Sequence, residues 1–326
     1  MACRIAARWA HLLKVSGLDL ARPLVIVNPR SGRGLTESRW ARVRGALTDG
    51  LGELDSAFTA GPRDACAVAR REAEAGRRLI VALGGDGTIS EVANGILDAG
   101  AGATTELGII PRGTGGDFRR TLELPHDVAE AARRIRDGQA RPLDAGRVHF
   151  RNHAGQSEIH HFVNVASFGF SSSVATRANA SSKRFGGRMA FFGATLRALV
   201  SYDNTDVWLT IGDQPRERRR VLMAAVGNGR FFGGGMKICP EARIDDGALD
   251  LVTVGDFSKG EVLTNIGRLY EGTHLELDAV ENARVTRVAV EPVENDARIP
   301  IELDGETPGH LPAVFEIVPA ALRVRI

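Results

Sequence analysis

Between Pro23 and Asp144, short apolar runs alternate with stretches of helical spacing, and the runs end in turns rich in glycine or proline. "PLVIVNP" is an uninterrupted apolar run stopped by proline, the pattern of a parallel strand buried on both faces. A helical stretch follows, with Trp40, Val43 and Leu47 on one face. "LDSAFTA" then precedes a helix opened by Pro62. "RLIVALGG" precedes "SEVANGILDAG", and "ELGIIP" precedes "RGTGGDF" and "DVAEAARRIRDG". Four strand-like runs, each returned by a helix, predict a doubly wound parallel sheet.

Past Asp144 the pattern changes. "GRVHF", "HHFVNVASFGF", "DVWLTIG", "RRVLMAAVGN", "ALDLVTVG", "RVTRVAVEP" and "IPIELDGE" read as strands divided by turn residues. Two helical stretches intervene, "GGRMAFFGATLRALVSY" and "SKGEVLTNIGRLYEG". This predicts a mostly antiparallel β-sandwich. A length of 326 residues accommodates two domains. The expected division is an N-terminal extension over 1–22, an α/β domain over 23–146 and a β-sandwich over 147–326. No repeat or low-complexity linker separates them, so a cleft between the two is expected.

A formal net charge of +2 gives no ground for a nucleic-acid partner. Cys3, Cys66 and Cys239 are scattered without metal-ligand spacing, which fits a reducing compartment and no disulfide framework. No run approaches the roughly 18 apolar residues of a membrane span. The N-terminus "MACRIAARWAHLLKVSG" lacks the apolar core of a secretory signal. It does place Ile5, Trp9, Leu12 and Leu13 on one helical face beside Arg4, Arg8 and Lys14. The plainer reading is a frayed extension or a helix packed on the body; the sharper one is an anchor on anionic lipid.

Chemistry concentrates in four glycine-bearing turns at the carboxyl ends of the predicted strands. They are "NPRSGRG" (Asn28 to Gly34), "TAGP" (Thr59 to Pro62), "GGDGT" (Gly84 to Thr88) and "PRGTGGDF" (Pro111 to Phe118). Ligands of open α/β sheets bind outside those strand ends. GxxxxGK[ST] is absent, as is GxGxxG after the first strand, so a phosphate cradle here is assembled from several loops. A lone glycine turn serves only to reverse the chain. These four, however, each carry a hydroxyl (Ser31, Thr59, Thr88, Thr114), and two carry a carboxylate (Asp86, Asp117). Hydroxyls and backbone N–H groups bind phosphate oxygens; carboxylates hold Mg²⁺, often through water.

"VNPRSG", "GGDGT", "PRGTGGDF", "NVASFGF", "ARIDDGALDL" and "LDGE", in that order, resemble the signature of the diacylglycerol kinase catalytic-domain family, and within it the bacterial soluble lipid kinases. GGDGT alone is shared with NAD kinases; with GTGGDF and a late DGE it is far more specific. The resemblance covers the chain from about Pro23 to its end. It implies an NAD kinase/diacylglycerol kinase-like fold with ATP between the domains. The nucleotide positions it implies are Asn28, Pro29, Arg30, Ser31, Gly32, Thr59, Gly84, Gly85, Asp86, Gly87, Thr88, Ile89, Ser90 and Thr114. It further implies a water-linked Mg²⁺ network through Asp86, Asp117 and Asp304, and a structural metal in "RIDDGAL" held by the Asp246 side chain and the carbonyls of Arg243 and Ala248. The sequence departs from the family at Gly116, where Asn is usual, and this leaves the position of Asp117 open.

Read from spacing alone, "DGE" is a hairpin turn, since Asp-Gly between strands is a strong turn signal. The resemblance makes Asp304 and Glu306 catalytic acids instead, without saying which takes the proton. Adjacent His160 and His161 point to opposite faces of a strand and share no metal. "RERRR" (Arg216 to Arg220) is either a solvated turn or a membrane-facing basic patch. Met189, Phe192, Leu196 and Leu199, at helical spacing, pack on the sheet or wall a lipid site, with "FFGGGM" (Phe231 to Met236) adding apolar surface.

The expectation is an ATP- and Mg²⁺-dependent lipid kinase acting on a diacylglycerol-like hydroxyl. It would be cytoplasmic and peripheral at the inner membrane face; a homodimer is compatible with the sequence. The rivals are a kinase of a soluble or sphingoid substrate and a non-catalytic nucleotide-binding, membrane-associated protein.

Overall fold

The computed structural model describes residues 20–113, 115–172, 202–294 and 297–326. The amphipathic N-terminal stretch, Thr114 and the Met189–Leu199 helical face lie outside the described residues. The chain divides into two compact units, one of Met1–Leu143 with Ala320–Ile326, the other Asp144–Pro319.

In the first unit, strands β1 (Leu24–Val27), β2 (Asp55–Phe58), β3 (Leu79–Gly84) and β4 (Glu106–Pro111) pair in parallel in the order β2-β1-β3-β4. Leu24 faces Asp55 on one side and Ile80 on the other, and Leu79 faces Glu106. The middle strands are buried on both faces, which explains their continuous apolar runs. Helices α1 (Trp40–Leu51), α2 (Asp64–Glu74), α3 (Asp86–Asp98), α4 (Asp117–Thr121) and α5 (Val128–Asp137) fill the crossovers. Val43 and Leu47 of α1 and Val128, Ala132 and Ile135 of α5 share a core with Val25, Val81 and Ile110. Helix α3 comes so close to α2 that a Cβ on Gly95 would lie 2.4 Å from the Cys66 carbonyl oxygen.

The second unit is built on β5 (Ala140–Asn152), which enters it from the first, followed by β6 (Ser157–Phe162), β7 (Val165–Gly169), β8 (Thr205–Ile211), β9 (Glu217–Val221), β10 (Met223–Gly227), β11 (Leu249–Val254), β12 (Val280–Val285), β13 (Arg287–Pro292), β14 (Pro300–Leu303) and β15 (Glu306–Arg325). One ladder runs β12-β11-β10-β7-β14-β15; β13, β8 and β9 extend a second from β15, and β5 joins β15 to β6. The pairings with printed register are antiparallel. Val148, Phe162, Phe168, Val226, Leu251, Val288, Ile301 and Phe315 share one core. Helix α6 (Lys259–Glu271) begins with a capping box of Ser258 and Glu261.

The architecture is therefore the expected parallel α/β domain followed by a β-sandwich. The end of the chain differs from the sequence division. Arg323–Arg325 of β15 lies parallel to Glu106–Gly108 of β4 and completes the first sheet. Leu322 and Val324 are buried there, and Arg325 donates to Glu106 Oε2 at 2.6 Å. The run "RERRR" also differs from a turn. It lies largely on β9, and its charges have partners: Arg218 with Asp206, Arg219 with Glu217 and Glu281, Arg220 with Asp206 and Asp256. The Arg216 guanidinium sits 4.6 Å from the Trp208 ring centre.

Candidate active site

In the first unit the turn after β1 is shaped by Asn28. Its Oδ1 accepts from Arg30 N at 3.0 Å, and its Nδ2 donates to Thr88 Oγ1 at 3.0 Å. That bond joins the first glycine turn to the third, while Ser31 Oγ donates to Asn28 O at 2.8 Å within the first. Gly85 and Gly113 make the third and fourth turns touch. A Cβ on Gly85 would lie 3.2 Å from Gly113 Cα, and one on Gly113 would lie 2.7 Å from Gly85 Cα. Only glycine permits this approach. Helix α3 starts here with Gly85 as its N-cap and no side chain capping it. Its first N–H groups have no partner within the helix and are donors for an anion.

Asn28, Ser31, Gly32, Gly84, Gly85, Asp86 and Thr88 thus converge. Thr59 stands at the end of β2, its N–H donating to Val27 O at 2.9 Å. Ile89 does not join them as a binding side chain. It is 1% exposed in the core, and its N–H donates to Gly85 O at 3.1 Å.

The Asp86 carboxylate has a role the sequence does not announce. Oδ2 accepts from Gly116 N at 2.8 Å and from Asp117 N at 3.3 Å; Oδ1 accepts from Phe118 N at 3.2 Å. Asp86 therefore caps the start of α4 and fixes the glycine loop before it. Asp117 in turn pairs with Arg120 Nη1 at 2.9 Å, and the same nitrogen reaches Gly115 O. An ionised carboxylate offers about four lone-pair positions. Three of those on Asp86 are taken, so the residues fit a divalent cation bound through water better than one ligated directly.

Gly116 is left-handed, φ 65°, which suits glycine, and Arg119 Nε would lie 3.3 Å from a Cβ there. The guanidinium of Arg119 thus occupies the flank where the family's Asn would project. Burial, and then the neighbouring charge of Arg120, hold the pKa of Arg119 below its ordinary value.

In the second unit, Asp304 and Gly305 form a two-residue turn between β14 and β15, with φ of 49° and 94°. The hairpin reading of "DGE" is thus correct as geometry. Asp304 is also a clamp: Oδ2 accepts from Val163 N at 2.9 Å, and Oδ1 accepts from Asn164 N at 3.0 Å and Val165 N at 3.1 Å. Buried Glu302 supports the turn, accepting Gly305 N at 2.9 Å and Ser167 Oγ at 2.8 Å. Glu306 is exposed.

The "RIDDGAL" loop is tied down by Asp144, whose Oδ2 accepts Gly247 N at 2.7 Å. Asp246 accepts Ala248 N at 3.2 Å and an ion pair from Arg284. Burial, then the charge of Asp246, pushes the nearby Asp250 carboxyl up to about 6. Asp246 is thus already matched by a cation. Among the described residues no group of three or more His, Cys, Asp or Glu side chains is arranged for a metal. A metal held by the Asp246 side chain with the backbone carbonyls of Arg243 and Ala248 would share that carboxylate with Arg284 and the Ala248 N–H.

Beneath α6 lies an apolar cleft of ≈ 730 Å³, solvent at its mouth included. Phe170, Met223, Phe232, Met236, Ile266 and Leu269 are among its walls, which makes "FFGGGM" part of the lining. No described helix is long and apolar enough to cross a membrane.

These arrangements accompany a clear relationship to known proteins. Residues 22–148 match the family described as "Diacylglycerol kinase catalytic domain", and residues 164–326 that described as "YegS C-terminal NAD kinase beta sandwich-like domain". A protein of Bacillus subtilis (strain 168) named "Diacylglycerol kinase" is 30% identical over 297 residues, 91% of this chain and 93% of that one. A "Probable lipid kinase YegS-like" of Xanthomonas euvesicatoria is 33% identical over 264 residues, 77% and 79% of the two chains. A crystal structure of a diacylglycerol kinase from Bacillus anthracis str. Sterne matches with a TM-score of 0.68 and 23% identity, covering 95% of this chain and 98% of that one, and bears on the fold alone. With both units matched and one relative aligned over nearly its whole length, the chain belongs to the diacylglycerol kinase catalytic-domain family.

Proposed function

We propose that this protein is a lipid kinase that transfers the γ-phosphate of ATP to the hydroxyl of a diacylglycerol-like lipid. The observation that carries the lipid half of this reading is the apolar cleft under α6. Its predominantly apolar lining suits an acyl chain rather than a soluble nucleotide. Its polar wall residues are Ser171, Asn265 and His274, and His274 Nε2 is already bonded to Ile238 O at 3.0 Å.

The nucleotide half rests on the first unit. The uncapped start of α3 supplies N–H donors for phosphate oxygens, and the Thr88 hydroxyl, which accepts from Asn28 Nδ2, keeps its own proton to donate. Asp86 fixes the loop at Gly116–Phe118; its remaining lone pair would hold a hydrated Mg²⁺, with Asp117 contributing charge. When bound, that ion would neutralise the phosphates as charge moves to the leaving oxygen. In the second unit Asp304 holds the 163–165 backbone and shapes its turn. Glu306, exposed one residue past that turn, accepts the proton of the attacking hydroxyl. The named relatives support this reading: one is called a diacylglycerol kinase and another a probable lipid kinase. The protein would work at a membrane surface, where its substrate resides.

The test is incubation with γ-labelled ATP and Mg²⁺, using total lipid extract in mixed micelles against a panel of soluble alcohols and NAD. Label in the organic phase is expected. Label confined to a water-soluble acceptor would overturn the lipid reading.

A further inference from the structure

We infer that Arg112 is a fixed cation of the nucleotide site and pairs with the polyphosphate of the bound nucleotide; this rests on the ATP reading above. Its place is set by backbone bonds to two of the glycine turns. Arg112 N donates to Gly84 O at 2.6 Å, and Arg112 O accepts from Gly32 N at 2.7 Å. The guanidinium then lies over Gly32. A Cβ there would sit 3.5 Å from Nη2 and 3.7 Å from Nε, ordinary contact distances, so the guanidinium rests against the first glycine turn.

Arg112 Nε is buried and has no hydrogen-bond partner among the described residues. The two acids of the neighbouring loops are engaged elsewhere: Asp86 with the N–H groups of 116–118, and Asp117 with Arg120. A buried guanidinium N–H without an acceptor is costly in the free protein and is repaid only if a ligand brings the acceptor. The surrounding groups define that ligand. The uncapped start of α3 and the hydroxyl of Thr88 suit an anion with several oxygens, and a planar guanidinium fork matches phosphate. A monoanionic carboxylate would leave most of these donors unused.

The experiment compares wild type, Arg112→Ala and Arg112→Lys for binding of ATP, adenosine and inorganic tripolyphosphate by titration calorimetry, with melting temperature measured beside it. Arg112→Ala should weaken ATP and tripolyphosphate by about tenfold to hundredfold, leave adenosine unchanged, and leave the ligand-free melting temperature unchanged or raised. Arg112→Lys should recover part of the loss, since it keeps the charge without the fork. Equal ATP affinity in wild type and Arg112→Ala would overturn the inference while leaving the ATP reading intact. So would a uniform loss for all three ligands with a lowered melting temperature, the mark of a structural residue. Wild type binding tripolyphosphate through Arg112 but not ATP would uphold the cation and reject the nucleotide; no binding of either would overturn both.

Discussion

Asp304 and Glu306 stand two residues apart, and the structure predicts that they fail in different ways when neutralised. Asp304→Asn keeps size and turn preference but replaces one oxygen with an N–H₂ group. If the remaining oxygen keeps Asn164 N and Val165 N, the amide nitrogen faces the N–H of Val163, whose backbone lies in a buried stretch. One orphaned donor costs about 1–3 kcal/mol, and two bonds lose their charge assistance, so a total of roughly 2–4 kcal/mol is expected. At about 2–4 °C per kcal/mol for a unit of this size, the sandwich should melt roughly 5–15 °C lower. Glu306→Gln changes an exposed side chain and should move stability by no more than about 0.5 kcal/mol. Its cost falls on the reaction, at roughly 10² to 10⁴ in kcat with ATP affinity kept. Calorimetry and initial rates on the same preparations separate the two. A Glu306→Gln enzyme turning over at the wild-type rate, beside an Asp304→Asn enzyme that melts normally yet is dead, would refute the assignment and give the proton to Asp304.

Asp86→Ala should lower both activity and melting temperature, because the N–H groups of Gly116, Asp117 and Phe118 lose their acceptor; about 1–3 kcal/mol is at stake, and an unchanged melting curve would mean that the loop stands without the cap. If Asp246 shares its carboxylate between Arg284 and a structural metal, chelator should lower the melting temperature of wild type by several degrees, because the metal stabilises the native state by mass action; an unchanged melting temperature would leave Arg284 as the cation that matches Asp246. Ile266→Asp places a charge in the apolar cleft and should raise the KM for lipid by about tenfold or more while the KM for ATP holds; equal changes in both would detach the cleft from the substrate.

The alternation of apolar run, glycine turn and helix made the first sheet legible, because parallel strands buried on both faces can be written in few other ways. What the sequence could not show is where each acid spends its lone pairs. Asp86 and Asp304 both read as metal or proton acids from their motifs. Their partners are backbone N–H groups 30–32 and 139–141 positions away, and a backbone donor leaves no residue-type signature. The same blindness left "RERRR" open between a solvated turn and a basic patch. Its neutralising acids, Asp206, Asp256 and Glu281, arrive from other elements of the fold. The return of Arg323–Arg325 to β4 is of this kind too, since an alternating strand does not name its neighbour.

Gly116 shows the opposite limit, where the sequence signal was clear but its meaning was not. Loss of the family's usual Asn leaves the position of Asp117 open from the sequence. The structure gives two compensations. Asp86 accepts three successive N–H groups, beginning at Gly116 itself, so the backbone is fixed by an acid outside the loop. Arg119 then lies against the glycine, where a Cβ would come within 3.3 Å of Nε. An asparagine tolerates the left-handed φ of 65° but would have to push that guanidinium aside. The glycine and the arginine three residues later are therefore one structural choice. Restoring Asn at 116 alone should disturb Arg119 rather than tighten the loop.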